Sequence, residues 1–302
     1  MSIPEFDVLY SISDLHMGGK TGFQIFNHGA LLAELVRSLA APPPSKPIVL
    51  VINGDLVDFL AEAPARYFDP EGAIAKLERI STDPAFAPVF DAFADYVKVP
   101  GCHLAWVLGN HDVELALPPV EGWLIERLTG GDSAARGRIF SALHGAGFKC
   151  KVGGKQVLCI HGNEVDDWNV IDYLALLQTA RAINREVEPP EWDACAGTRM
   201  VIDIMNDIKR EYPFIDLLKP ETQAALPAVV AIAPKFLRKA SRLGKVLAKK
   251  SKDRDRMDKG FLGAESEAGE TLPSDQELAR EFLGSAFGEL PPARATTDAE
   301  RC

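Results

Sequence analysis

Pro47–Asp58, PIVLVINGDLVD, is the stretch on which the fold turns. Ile48 to Ile52 are five consecutive aliphatic residues, the pattern of a strand buried in the interior of a layered protein. The run then stops on Asn53-Gly54-Asp55, with Asp58 three residues further on. A buried strand that ends in an amide, a glycine and two carboxylates has a reason other than packing.

The same transition recurs three times. FDVLYSIS (Phe6–Ser13) reads as a strand and ends in Asp14-Leu15-His16. HLAWVL (His103–Leu108) ends in Gly109-Asn110-His111-Asp112. FKCKV and KQVLCI (Phe148–Ile160) read as a hairpin turning at Gly153-Gly154, and its second strand ends in His161-Gly162-Asn163-Glu164. Between these strands lie segments with helical apolar spacing: His28–Ala40 with Asn27 as N-cap, Gly72–Ile80, Ala87–Val97 and Val120–Leu128. Strand–helix alternation predicts an α/β layered fold around a central sheet. In such folds ligands bind at the carboxyl ends of the strands, so the four polar loops are expected to share one crevice.

Carboxylates, an amide oxygen and imidazoles without a thiolate suit hard to borderline divalent cations. A carboxylate can also bridge two ions, and a pair of ions clamps a phosphate and activates water. Asp14 and His16, two residues apart on a strand, point to one side and can act together. Neither a GxSxG elbow nor a Cys/His pair offers a covalent alternative.

Composition narrows the field. The 302 residues, 47% hydrophobic and 25% charged, suit a globular enzyme. The N-terminus has no secretory pattern and no apolar run approaches a membrane span, so a cytoplasmic protein is expected. Five cysteines without CxxC spacing agree with a reducing compartment. The net charge of −10 argues against general attraction to nucleic acid.

Together, D-L-H, G-D-L-V-D, G-N-H-D and a later H-G-N resemble the motif series of the calcineurin-like metallophosphoesterases. The resemblance covers residues 7–164, in the family's order. It implies a four-layer α/β/β/α sandwich with a dinuclear centre of manganese, iron or zinc. By the same resemblance Asp14 and His16 hold the first ion, Asp55 bridges, and Asn110 and His161 hold the second. His111 acts as general acid or charge stabiliser, with Asp112 orienting it. The layout, with a helical insertion after H-G-N, is similar to that of UDP-2,3-diacylglucosamine hydrolases. A hydrolase of phosphoester or pyrophosphate bonds in a small molecule or lipid is therefore expected.

One departure stands out: the family closes its site with a G-H-x-H strand, and none of the six histidines lies after His161. Three readings remain open. The reading frame continues past Cys302 into that strand; Glu164, Asp166 or Asp167 substitutes as an oxygen ligand; or the chain is a non-catalytic scaffold or membrane-surface binder. Asp58 is expected to brace its loop, and Trp168 and Tyr173 follow the site closely. His28, His103 and His144 have no motif context.

Residues 1–164 thus read as the core and 165–260 as a helical insertion or lid. Lys235–Lys259 carries eleven Lys/Arg against three Asp, with apolar residues at Phe236, Leu237, Leu243, Val246 and Leu247. That pattern fits a lid helix, or one lying on an anionic membrane. Residues 261–302 read as an acidic linker followed by a helix at Ser274–Phe287.

Overall fold

A computed structural model describes residues 3–165 and 169–212. The chain divides into two compact units, residues 1–202 and 203–302. In the second unit, the description ends after a short helix at Asn206–Glu211. Asp166, Asp167, Trp168, Lys235–Lys259 and Ser274–Phe287 lie outside the described residues. All that follows concerns the first unit.

In chain order its strands are β1 (Glu5–Phe6), β2 (Val8–Ile12), β3 (Ile48–Asn53), β4 (Cys102–Val107), β5 (Ile139–Ala142), β6 (Phe148–Val152) and β7 (Lys155–Cys159). Strands β2-β3-β4-β5 form an all-parallel sheet. A smaller sheet, β1-β6-β7, pairs β1 parallel to β6 and closes with the β6–β7 hairpin. Gly153 and Gly154 at its turn both have positive φ, 56° and 77°, as a two-residue hairpin turn requires.

The helices are α1 (Gly29–Leu39), α2 (Ala73–Thr82), α3 (Ala87–Lys98), α4 (Pro118–Thr129), α5 (Ser133–Arg136), α6 (Tyr173–Asn184) and α7 (Ala196–Met200). Alternation along β3 shows how the layers assemble. Ile48, Leu50 and Ile52 join a core with α1, α2, α3 and α4, while Val49 and Val51 face Phe6, Phe148 and Cys150 of the other sheet. Strand β4 repeats the pattern, with Leu104 and Trp106 on the helical side and Ala105 and Val107 between the sheets. Burial on both faces explains the unbroken aliphatic run of β3. Each such side chain contributes about 1.5–3 kcal/mol relative to exposure.

The expected layered α/β architecture is present, and the described residues build a helical layer, the larger sheet and the smaller sheet. The outer face of the smaller sheet, with Lys149 and Leu158, is exposed among the described residues. Helices α6 and α7 follow the last strand, and Leu176 and Ile171 join the helical core. No described helix is long and apolar enough to cross a membrane.

Three details differ from the expectation. FDVLYSIS divides between the two sheets at Asp7, whose amide donates to Pro47 O at 2.8 Å. Helix α1 has His28 rather than Asn27 at its N-cap, with no side-chain cap bond. Strand β5 has no counterpart in the sequence pattern, because IFSA is too short to carry a period.

Candidate metal centre

The loops after β2 and β3 continue side by side beyond their strands. Asp14 N donates to Gly54 O at 3.1 Å, His16 N to Asp55 O at 2.9 Å, and Met17 N to Leu56 O at 3.2 Å. Asp14, His16 and Asp55 all sit in left-handed backbone, with φ of 55°, 44° and 52°. Non-glycine residues there cost of order 1–3 kcal/mol each and persist where the surroundings demand them. A Cβ on Gly109 would collide with Asp55 Oδ1, and one on Gly54 with the His161 ring. Close approach to the Asp55 carboxylate and its imidazole neighbour is the reason for both glycines.

Asp55 lies at the centre, almost fully buried. Its Oδ2 is 3.4 Å from His16 Nε2 and 3.4 Å from His161 Nε2, while Oδ1 accepts from His111 N at 2.9 Å. Burial opposes its charge, but His111, His161 and His16 outweigh burial and hold its pKa at about 2. His161 Nδ1 faces the Asn53 carbonyl at 2.9 Å, and Asn53 Nδ2 donates to Ile160 O at 2.7 Å. A carbonyl accepts only from N–H, so this contact puts a proton on Nδ1 and directs Nε2 at Asp55. Burial disfavours the imidazolium of His161, yet Asp55 and the Asn53 carbonyl push its pKa up to about 9.

Among the described residues, two groups of side chains have the spacing to hold a cation: Asp14, Asp55 and His161, and His16, Asp58 and His111. Within each, the ligand atoms all lie within 4.8 Å of one another. The donors match the carboxylate-and-imidazole chemistry of a divalent ion site.

Residues 9–203 match the family model of the calcineurin-like phosphoesterases. The chain belongs to that family. No curated protein and no solved structure matches it. The family typically uses a dinuclear metal site, and the two groups in this phosphoesterase fit a metal-dependent hydrolase.

The carboxylate beside His111 is not the expected one. Asp112 is fully buried and accepts from Gly109 N at 2.7 Å and Leu56 N at 2.8 Å. It fastens the β4 loop to the β3 loop instead of orienting its neighbour. Burial, and then the Asp55 carboxylate, raise its pKa to about 7 despite those two amides. Asp58 takes the orienting position, with Oδ1 3.2 Å from His111 Nδ1 and Oδ2 3.8 Å from His16 Nδ1. Its burial would raise its pKa, but His111 and His16 hold it well below the usual carboxylate range. Asp58 also caps its own turn through Leu60 N and Ala61 N, the bracing expected from sequence.

Asn110 is buried, and its Nδ2 donates to Asn169 Oδ1 at 3.4 Å. Asn163 Nδ2 in turn donates to Asn169 O at 3.1 Å. Asn169 carries no signal in the sequence as a site residue, and Asn53 stands in a polar strand end without a role that the motif assigns. Tyr173 packs on the helical core, and His103, on β4, meets the Phe6 ring edge-on.

Proposed function

We propose that this phosphoesterase hydrolyses phosphoester or pyrophosphate bonds with two divalent cations, manganese first, with iron or zinc as alternatives. Asp14 and His16 would hold one ion, Asp55 would bridge, and Asn110 and His161 would hold the other. The observation that carries this reading is Asp55 Oδ2, equidistant at 3.4 Å from two imidazole nitrogens on different loops. When bound, such ions polarise phosphoryl oxygens and acidify a water.

The chain's own residues supply the rest. Water adds its oxygen to phosphorus and releases a proton to solvent, the ester P–O bond breaks, and His111 Nε2 gives a proton to the departing oxygen. Asp58 at Nδ1 keeps the ring oriented and stabilises its protonated form. His16 meets the His111 ring edge-on, 4.5 Å between centroids, which limits its rotation. The substrate class we favour is a phosphorylated small molecule or lipid in a cytoplasmic setting. Residues 165–260 would act as a lid, and Lys235–Lys259 would meet an anionic membrane surface.

The test is metal analysis of the purified full chain together with hydrolysis of bis-p-nitrophenyl phosphate, with and without Mn2+. Bound metal and Mn2+-dependent turnover, both lost in Asp55→Asn, are expected. A chain that neither binds metal nor turns over would instead be the non-catalytic scaffold.

A further inference from the structure

An open cleft of about 370 Å3 is lined by Ala65, Arg66, Tyr67, Phe68, Trp192 and Ile202. Tyr67 and Trp192 also line a narrower cavity that reaches Asn110. Tyr67 and Trp192 are therefore walls common to the cleft and to the cavity beside Asn110. Its walls are mainly flat: Phe68 and Trp192 are stacked with centroids 4.4 Å apart and an interplanar angle of 26°, and the Arg199 guanidinium lies 5.0 Å from the centre of the Tyr67 ring. Among the described lining residues only Ala65 and Ile202 are aliphatic.

A buried ionic network fixes this wall to the catalytic loop. Asp69 N donates to Glu114 Oε1 at 3.0 Å, three residues beyond His111. Asp69 Oδ2 is 3.0 Å from Lys76 Nζ, and Oδ1 is 3.2 Å from Arg66 Nη1. The Arg66 side chain, paired with Asp69, is 57% exposed at the rim.

We infer that this cleft takes a flat aromatic group esterified to the phosphate, a nucleobase or an aryl ring, seated against the Trp192–Phe68 stack. The inference rests on the phosphoesterase reading of the metal centre and adds the substrate class. Rings stack on aromatic side chains with little dependence on their substituents. An alkyl chain would find few aliphatic partners here.

Calorimetric titration of the full chain with four phosphates separates the alternatives: adenosine 5′-monophosphate, phenyl phosphate, ribose 5-phosphate and butyl phosphate. The ring-bearing ligands are expected to bind about tenfold more tightly than the other two, the gain of one stacked ring. Preference for adenosine monophosphate over phenyl phosphate identifies a nucleobase, and the reverse an aryl group. Trp192→Ala is expected to remove the ring preference and Trp192→Phe to retain it. If Trp192→Ala does not fold, Tyr67→Leu is expected to reduce the same preference. Equal affinities, or tightest binding of butyl phosphate, would overturn the inference. Binding is read without turnover, so an inactive chain that keeps the ring preference breaks the hydrolase reading alone. An active chain without that preference breaks the cleft alone.

Discussion

The loops at the ends of β2, β3 and β4 hold their side chains through the backbone, whereas the cleft beyond Asn110 holds its rings against one another. In the first region, cross-loop amide–carbonyl bonds, three left-handed residues and two close-approach glycines leave Asp55 little freedom. In the second, Phe68 meets Trp192 from a distant part of the chain, and the loop carrying Phe68 is anchored by ion pairs. The contrast separates two tasks. Fixing cations and a phosphate needs ligand atoms placed to fractions of an ångström. Accepting a flat group needs only surfaces of the right shape, which tolerate adjustment.

The contrast is most exposed to failure at its rigid centre. Asp55→Asn is expected to reduce turnover to background and to remove bound metal, as read by elemental analysis of the purified variant. Retained metal would mean that Asp55 does not bridge. Next, His111→Ala is expected to lower kcat about 10²–10⁴-fold while metal content stays unchanged. Loss of metal in that variant would make His111 a ligand, with Asp58 and His16, instead of a proton donor.

The two buried aspartates divide the rigid region further. Asp58→Asn is expected to lower kcat about 10–100-fold by releasing His111, and to move the alkaline limb of the pH–rate profile, where His111 loses its proton, to lower pH. Asp112→Asn is expected to act mainly on folding, because it weakens acceptors for two buried amides. The cost is about 1–3 kcal/mol, readable by urea unfolding. If Asp112→Asn instead changes the pH profile and Asp58→Asn does not, their assigned roles are reversed.

The mildest effect is electrostatic. His161 has a folded pKa of about 9, above its ordinary 6.5, so its contribution to stability is complete below 6.5. That contribution is lost as pH rises through 9. Asp112, raised from 3.8 to about 7, changes in the same direction, its contribution fading as pH rises from 3.8 through 7. In EDTA-treated protein, Tm is therefore expected to fall between pH 6 and 9.5. Added Mn2+ is expected to stabilise more at the alkaline end, because a cation must displace the His161 Nε2 proton. A Tm independent of pH across that interval would contradict the His161–Asp55 proton arrangement.

Much of the metal centre is legible in the amino-acid sequence. Asp14, His16, Asp55, Asn110, His111 and His161 all stand where a strand pattern breaks, and the fold brings their loops to one end of the larger sheet. Asp58 and Asp112 are legible as residues but not in their roles. Each follows its motif's glycine by a few residues, and only the path of the loop decides which carboxylate meets the imidazole. The division of FDVLYSIS is hidden because both halves are apolar, and a strand that changes sheets keeps the same alternation.

The layered α/β class, the polar strand ends, the family motifs and the donor chemistry follow from the order of the amino acids. These are local properties: period, turn residues and ligand type are written in adjacent positions. That Asp58 faces His111, that Asp112 fastens two loops, and that Phe68 stacks on Trp192 are facts of the folded chain. Such pairs depend on where separate segments cross, and burial and hydrogen bonding at those crossings select among chemically similar side chains.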